Sequence, residues 1–187
     1  MAKRALLIGI NTFEFAHWPS LKKAEADAHA VAALMRDPTI GDYDEVTVMG
    51  HKPDHTRTEL ARAIYRLFAD ATRDDTVLLF IASHGEFDQE TQGYHIIVRE
   101  TDDFAFAATG ISAQFIRDRM KASRAERQFV ILDTCHSGAF FEGPGARGTD
   151  NQVILPLELK EAVSGTGRVV IPSCEAHQLS YENEDGF

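Results

Sequence analysis

Five short apolar segments limit the fold of this chain more than any other feature. Most are rich in β-branched residues and stay apolar without alternation, which is typical of strands covered on both faces of a sheet. Segments with helical periodicity separate them, so consecutive strands need crossover connections and lie parallel. The sequence therefore predicts an open, mostly parallel α/β sheet with helices on both faces. The five segments are residues 5–10, 45–49, 77–82, 129–132 and 168–171.

Three segments between the strands have the periodicity of amphipathic helices. Apolar residues three and four positions apart fall on one face of a helix. The second segment starts with Thr56 and Glu59, which can form a capping box, and residues 94–98 predict an additional strand or hairpin arm. The predicted inner faces are Leu21, Ala24, Ala28, Val31 and Met35; Leu60, Ile64, Leu67, Phe68 and Ala71; and Phe115, Ile116 and Met120 in a helix that starts near Ser112.

The composition fits one globular domain with an acidic surface. The chain has 187 residues, 44% of them hydrophobic, which is enough for one sizeable core. Its 19 basic and 29 acidic residues give a formal charge of −10, which disfavours binding to nucleic acid or to an anionic membrane. No signal peptide or membrane span is predicted, and two cysteines do not make a disulfide framework. We therefore expect a cytoplasmic protein with polypeptide partners.

Two of the predicted strands end on residues that can act as a nucleophile and a base. Strand 77–82 leads into Ser-His-Gly, which contains His84, and strand 129–132 leads into Asp-Thr-Cys-His-Ser-Gly, which contains Cys135. In open α/β sheets the functional crevice lies at the carboxyl ends of the strands. If these strands are neighbours, about 4.8 Å apart, the histidine can favour the thiolate or accept the thiol proton. The pair predicts acyl transfer to a thiol.

Residues next to the pair extend this interpretation. The N–H groups of Gly85 and Cys135 are candidate oxyanion donors, and one such donor stabilises a transition state by about 3 kcal/mol. Asp133 shares the strand face of Cys135 because side chains alternate along a strand. A carboxylate at this position would recognise a cation, and turn capping is an equally good explanation of it.

Simpler explanations exist for each residue taken alone. A cysteine at a strand end is most often a small core residue, and a single histidine is more often structural than catalytic. Zinc binding by Cys135, His136, Cys174 and His177 is disfavoured because the usual Cys-Cys spacing is missing. A phosphatase loop would need an arginine in the turn after the cysteine, and no Cys-x-x-Cys pair or glycine-rich nucleotide motif occurs. The matching positions of His84 and Cys135 favour a catalytic pair.

Several segments together resemble the caspase-like cysteine peptidases, specifically their prokaryotic metacaspase or orthocaspase branch. These segments are ALLIGIN, LKKAEADA, ASHGE, ILDTCHSG and VVIPSCEAHQLSYE. The resemblance implies a three-layer caspase-like (caspase-hemoglobinase) α/β fold over residues 1–187. It implies a large-subunit-like part to about residue 140, an exposed, mobile linker loop at about 139–165, and a small-subunit-like part at about 166–187 whose C-terminal portion is missing.

The resemblance also implies roles for individual residues. His84 would be the catalytic base and acid, Cys135 the nucleophile, and the N–H groups of Gly85 and Cys135 the oxyanion donors. Asp27 and Asp133 match the acidic specificity pocket of metacaspases, which implies cleavage after arginine or lysine. A solvated charge beside the apolar stripe of its helix is the simpler explanation of Asp27.

Further residues are candidates for substrate contact and for activation. Ser83 and Ser137 flank the catalytic pair in sequence and are candidate lining residues. Related enzymes are often activated by cleavage of a loop, and Arg147 lies in the segment that matches their linker. We therefore expect autoprocessing at Arg147, with Lys160 and Arg168 as weaker alternatives.

No cofactor is required for this chemistry, and calcium is a candidate activator because some metacaspases bind it. Calcium prefers several oxygen ligands, which Asp88, Glu90, Asp102 and Asp103 would offer, although most acidic loop residues are merely solvated. The expected partners are a polypeptide with a basic residue before the scissile bond and an activating sensor or partner protein. The alternative function is a catalytically inactive caspase-like module that recruits protein partners in a regulatory, cell-death or defence pathway.

Overall fold

The structure, a computed structural model, describes residues 1–50, 52–135, 152–153 and 167–173. In chain order the described elements are β1 (Lys3–Gly9), α1 (Ala24–Arg36), β2 (Glu45–Met49), α2 (Arg57–Ala69), β3 (Thr76–Ala82), β4 (Gly85–Asp88), β5 (Gly93–Ile96), α3 (Phe106–Thr109), β6 (Ile111–Ser112), α4 (Ala113–Ala122), β7 (Arg127–Asp133), β8 (Gln152–Val153) and β9 (Gly167–Pro172).

A parallel sheet contains six of the described strands, in the order β2-β1-β3-β7-β9-β8. All five predicted apolar segments are strands of this sheet, which confirms the predicted parallel arrangement. Their continuous apolar character has a simple cause in β3, where all seven residues are buried. Parallel strands covered on both faces have no solvated side on which polar residues could alternate.

The loop predicted at 139–165 needs one correction. Residues 152–153 form the short strand β8, which pairs with β9 at the edge of the sheet. Without β8, one row of backbone N–H and C=O groups of β9 would have no strand partner, and the short parallel β8 pairs with part of that row. The other residues of the predicted loop, and the stretch from residue 174 to 187, lie outside the described residues.

Helices cover both faces of the sheet, so the predicted three layers are confirmed. On one face, α1 buries its small residues Ala24, Ala28 and Ala32 against β1 and β3. On the other face, α2 and α4 pack into a larger apolar core. Val31 and Met35, predicted to belong to the inner stripe of α1, are only partly buried. The buried residues of α2 are Leu60, Ile64, Leu67 and Phe68, and those of α4 include Ile116 and Met120.

Side-chain caps begin the two longer helices of the second face. The Thr56 hydroxyl accepts a hydrogen bond from the N–H of Glu59 at 3.3 Å, as the capping-box pattern predicted. The Ser112 hydroxyl accepts from the N–H of Phe115 at 3.2 Å, and α4 begins at the next residue. Both bonds satisfy helical N–H groups that have no partner within the helix.

A second, antiparallel sheet of three strands, in the order β4-β5-β6, follows directly after β3. Gly85 begins β4 and pairs with Ile96, so the hairpin starts one residue after His84. This confirms the hairpin arm predicted at residues 94–98, with β5 spanning Gly93–Ile96. Within the described ranges, no helix is long and apolar enough to cross a membrane.

Candidate active site

His84 and Cys135 occupy equivalent positions after neighbouring strands. β3 and β7 pair in parallel, and their last pair is Ala82 with Asp133. His84 follows Ala82 by two residues, as Cys135 follows Asp133. The condition for a histidine-cysteine pair, that the two strands are neighbours, is therefore met, with a strand spacing of about 4.8 Å. The register brings an imidazole and a thiol to the same edge of the sheet.

Hydrogen bonds hold the turn that carries His84. The N–H of Ser83 donates to the carbonyl of Asp133 at 3.3 Å, and the N–H of Ile97 donates to the carbonyl of His84 at 3.0 Å. The Ser83 hydroxyl donates to the carbonyl of Ile97 at 2.6 Å, and the residue is 5% exposed. A buried hydroxyl in this position supports the turn and gives the predicted lining role of Ser83 no support.

The imidazole of His84 is oriented by a backbone carbonyl. Its Nε2 atom lies 2.7 Å from the carbonyl oxygen of Pro19. A carbonyl oxygen can only accept, so Nε2 carries the proton of this bond. In the neutral imidazole the lone pair then belongs to Nδ1, which is the nitrogen that can take a proton from a thiol. The contact therefore favours the tautomer with its lone pair on Nδ1.

Two aromatic rings flank the same imidazole. The ring centroid of Phe13 lies 4.9 Å from that of His84, at an interplanar angle of 46°. The ring of Trp18 lies 6.1 Å away at 37°, and it contacts Phe106 edge-on on another side. Trp18 is 7% exposed. Packed rings restrict the orientations of a side chain between them, so His84 is held by contacts and by its hydrogen bond.

The loop between β1 and α1 carries Phe13, Trp18 and Pro19, and hydrogen bonds within the described residues hold this loop in place. Asn11, at the start of the loop, bonds to residues at its other end. The Asn11 carbonyl accepts a hydrogen bond from the N–H of Leu21 at 2.8 Å, and its side-chain oxygen accepts from the N–H of Glu25 at 3.1 Å. These bonds tie the loop that carries Pro19 to the end of β1 and to the start of α1.

Gly85 lies against the backbone of Cys135. A Cβ atom at Gly85 would lie 2.6 Å from the carbonyl oxygen of Cys135, closer than real Cβ contacts come. Cys135 is half-buried. The two residues predicted to supply oxyanion donors are thus in direct contact, although their role in binding an oxyanion stays a prediction.

Asp27 and Asp133 lie on the same side of the sheet. Phe129 and Ile131 of β7 pack with the core under α1, and Asp133 continues that alternation at the end of the strand. Asp27 is in the first turn of α1, the helix that covers this face. Both residues are half-buried. The acidic pocket and its contact with a substrate stay predictions.

The predicted calcium ligands do not form a cluster. In the part of the chain that the structure describes, no group of three or more His, Cys, Asp or Glu residues could hold a metal ion. Asp88 instead closes the β4–β5 turn, where its carboxylate accepts from the Thr91 hydroxyl at 2.6 Å and from the N–H of Glu90 at 2.9 Å. The Thr91 bond lowers the pKa of Asp88. Asp102 accepts from the N–H of Phe104 at 2.9 Å, and Asp103 follows Asp102 in the loop before α3.

The remaining candidates have different outcomes. Ser137, Arg147 and Lys160 lie outside the described residues. Arg168 lies within β9, where it pairs with Gln128 of β7. A protease needs an extended, accessible segment, so processing at Arg168 would first require the sheet to open, and this alternative is disfavoured.

His95 is a second histidine near these aromatic residues that the sequence did not indicate. It is 6% exposed on β5, and its ring contacts Phe106 edge-on at 5.8 Å. Burial lowers its pKa because it disfavours the charged imidazolium, and the negative charge of Asp88 partly opposes this shift. The lowered pKa favours the neutral form of His95 in β5.

Four functional candidates were missed by the sequence: Phe13, Trp18 and Pro19 around His84, and Tyr94 beside Cys135. Three of them come from an irregular loop with no periodicity. The signal for Tyr94 was its place in a predicted strand next to the Ser-His-Gly turn. The chain's single tryptophan in a polar loop was the clearest signal for the others.

Comparisons with known proteins agree with this geometry. The caspase domain family matches residues 2–186. No curated protein matches the chain. Among solved structures, the fold is similar to the crystal structure of protein GSU0716 from Geobacter sulfurreducens, with a TM-score of 0.65 and 16% sequence identity over 98% of this chain and 76% of the other. At this identity the match supports the fold alone. Because the family match spans nearly the whole chain, this protein belongs to the caspase-domain family.

Proposed function

We propose that this protein is a cysteine endopeptidase of the metacaspase or orthocaspase type, which cleaves peptide bonds after arginine or lysine. The observation that carries the proposal is the register of β3 and β7, which brings His84 and Cys135 to the same sheet edge. The contact of His84 Nε2 with the Pro19 carbonyl supports it, because it leaves Nδ1 as the basic nitrogen.

The proposed reaction has two steps. His84 takes the thiol proton, and Cys135 Sγ bonds to the substrate carbonyl carbon. The tetrahedral intermediate then expels the amine, which receives the proton from His84, and a thioester remains on Cys135. In the second step water attacks the thioester, His84 takes a proton from the water, and Cys135 leaves as the thiolate. The N–H groups of Gly85 and Cys135 would stabilise both oxyanions.

The acidic pocket accounts for the proposed specificity. Asp27, in the first turn of α1, and Asp133, at the end of β7, lie on the same side of the sheet. A guanidinium or ammonium group there would form charge-assisted hydrogen bonds, each typically about 1.5–3 kcal/mol. An aspartate substrate would instead meet two like charges. This reasoning favours a basic residue before the scissile bond.

Cleavage of a peptide library by the purified protein tests this proposal. We expect products that end in arginine or lysine, and no cleavage by Cys135→Ala or His84→Ala at matched folded concentration. Cleavage by Cys135→Ala would refute the mechanism. If the wild type cleaves nothing and a thiol-directed covalent probe fails to label Cys135, the inactive recruiting module becomes the better explanation.

The specificity has a separate test. Asp27→Asn and Asp133→Asn should each lower kcat/KM for an arginine substrate by about 10- to 100-fold, because each removes one charged partner. Asp74→Asn is the matched control, since Asp74 is exposed and lies before the opposite end of β3. Equal arginine preference in all three variants would rule the pocket out.

Activation is part of the proposal. Cleavage after Arg147 would separate the large-subunit-like part from the segment that follows, and Arg147→Ala should then prevent the mobility shift that accompanies activation. A partner protein or calcium are the other candidate triggers. Addition of a chelator to the active enzyme tests calcium directly: activity that does not change excludes it.

A further inference from the structure

The hydroxyl of Tyr94 lies next to the residue proposed as the nucleophile. Tyr94 belongs to β5 and is 1% exposed. Its oxygen lies 2.9 Å from the carbonyl oxygen of Cys135 and 2.5 Å from the hydroxyl oxygen of Thr134. Thr134 is also 1% exposed. A buried tyrosine thus reaches from the hairpin to the end of β7 and bonds to two consecutive residues there.

Counting protons gives the direction of both bonds. The phenol has one hydrogen, and the carbonyl of Cys135 can only accept. Tyr94 therefore donates to Cys135, and the Thr134 hydroxyl donates to Tyr94. The two bonds reach the chain on either side of the Thr134–Cys135 peptide group. That peptide group contains the N–H of Cys135, one of the two proposed oxyanion donors.

The same hydroxyl lies against the other proposed donor residue. A Cβ atom on Gly85 would lie 1.9 Å from the Tyr94 hydroxyl oxygen and 2.7 Å from the ring carbon that carries it. No side chain fits in that space. The Tyr94 hydroxyl is therefore in contact with Gly85, Thr134 and Cys135 at once, and its position requires a glycine at residue 85.

We infer that Tyr94 is a positioning residue, which holds the backbone of Cys135 so that its thiol faces His84 and its N–H points towards the oxyanion beside Gly85. The inference rests on the peptidase function proposed above. A tyrosine that served only to fill the core would not need its hydroxyl, because its ring already packs among the buried apolar residues of the larger core. The hydroxyl is the part whose contacts are specific to the site.

The test is Tyr94→Phe, which removes one oxygen atom and keeps the ring. We expect kcat to fall by about 10- to 100-fold because an oxyanion donor is displaced, with KM within about twofold of wild type. Alkylation of Cys135 by iodoacetamide, measured by mass spectrometry on the peptide that contains it, should slow by about threefold or more as the thiol leaves its place beside His84.

Two further variants make the result specific. Thr134→Val removes the hydroxyl that donates to Tyr94, so it should act in the same direction, and the double variant should lose less than the product of the two single losses. Tyr65→Phe is the matched control, because Tyr65 is 48% exposed on α2 and should change neither readout.

The two readouts separate this inference from the proposed function. If the wild type cleaves no peptide but Cys135 is alkylated more slowly in Tyr94→Phe, the positioning role stands and the peptidase function fails. If the wild type cleaves peptides and Tyr94→Phe matches it in kcat and in alkylation, the positioning role is refuted and the function stands. A loss of activity that equals the loss of folded protein, measured by thermal unfolding, also refutes it.

Discussion

The indole ring of Trp18 lies 6.1 Å from the imidazole of His84, at an interplanar angle of 37°. Trp18 is almost fully buried although it comes from an irregular loop. It supports the loop that brings the Pro19 carbonyl to His84 Nε2. The orientation of the proposed base therefore depends on packing between this loop and the turn after β3.

Replacing Trp18 with alanine should weaken both stability and catalysis. Removal of a buried tryptophan leaves a cavity, so the free energy of unfolding should fall by about 3 kcal/mol. The loop would also shift relative to His84, and kcat should fall by at least about tenfold because small displacements of a catalytic group are costly. Trp18→Phe should keep most of the wild-type free energy of unfolding and most of the wild-type kcat, because it preserves an aromatic ring. Urea unfolding and peptide cleavage give the two values.

Phe104→Ala is the control for Trp18. Phe104 is 96% exposed, so its removal should change the free energy of unfolding by less than about 0.5 kcal/mol. If Trp18→Ala loses stability but keeps wild-type kcat at full folding, the ring stabilises the fold without orienting His84.

The contact between Gly85 and its neighbours predicts a strong effect of a single methyl group. In Gly85→Ala the new Cβ would overlap the Tyr94 hydroxyl and the Cys135 carbonyl. The hairpin must move, at a cost of about 1–3 kcal/mol in the free energy of unfolding, and cleavage should fall below detection. Gly167→Ala is the matched control, because a Cβ there has nothing within 4 Å. Equal activity in the two variants would mean that the turn is less rigid than its contacts imply.

The helix cap at Thr56 allows the same substitution to be compared at two nearby positions. Thr56→Ala removes the bond to the N–H of Glu59 and should lower the free energy of unfolding by about 1 kcal/mol. Thr58 lies two residues later, on the exposed side of α2. Thr58→Ala should raise the free energy of unfolding by a few tenths of a kcal/mol, because alanine has a higher helix propensity than threonine. Chemical unfolding of both variants measures the difference, and equal effects would contradict a capping role.

The sequence predicted the fold and the neighbouring positions of His84 and Cys135 because both depend on local patterns. Apolar runs indicated the strands, and strands of a parallel sheet bring their carboxyl ends together. That is enough to place His84 near Cys135 once β3 and β7 are neighbours. The stripe predicted for α1 packs on this core as expected, with the alanines Ala24, Ala28 and Ala32 buried and Val31 and Met35 partly buried at its side.

The supports of the site could not be predicted in the same way. The Pro19 carbonyl is a backbone group, and its contact with His84 spans 65 residues. The Tyr94 hydroxyl reaches Cys135 across 41 residues. Neither contact leaves a periodic signal, because each depends on how a loop or hairpin folds back onto the sheet. Residue type alone does not encode such a path.

The acid stability of the fold should depend on Asp75, a buried carboxylate before β3. It accepts from the N–H of Ala2 at 2.6 Å and of Thr72 at 2.9 Å, with Arg4 at 3.6 Å. The pKa of Asp75 is lowered from 3.8 to about 2, and the hydrogen bonds from the N–H groups of Thr72 and Ala2 contribute most to this shift. The unfolded chain therefore binds this proton more readily, and the carboxylate stabilises the fold by about 2 kcal/mol above pH 4. That contribution should disappear as the pH falls from about 4 to about 2.

Urea unfolding of two variants tests this. Asp75→Asn should have a lower free energy of unfolding than wild type at pH 7 and approach the wild-type value near pH 2. Asp74→Asn, at an exposed position, should have the wild-type free energy of unfolding at every pH. A constant difference between Asp75→Asn and wild type across this range would show that the carboxylate charge is not the cause.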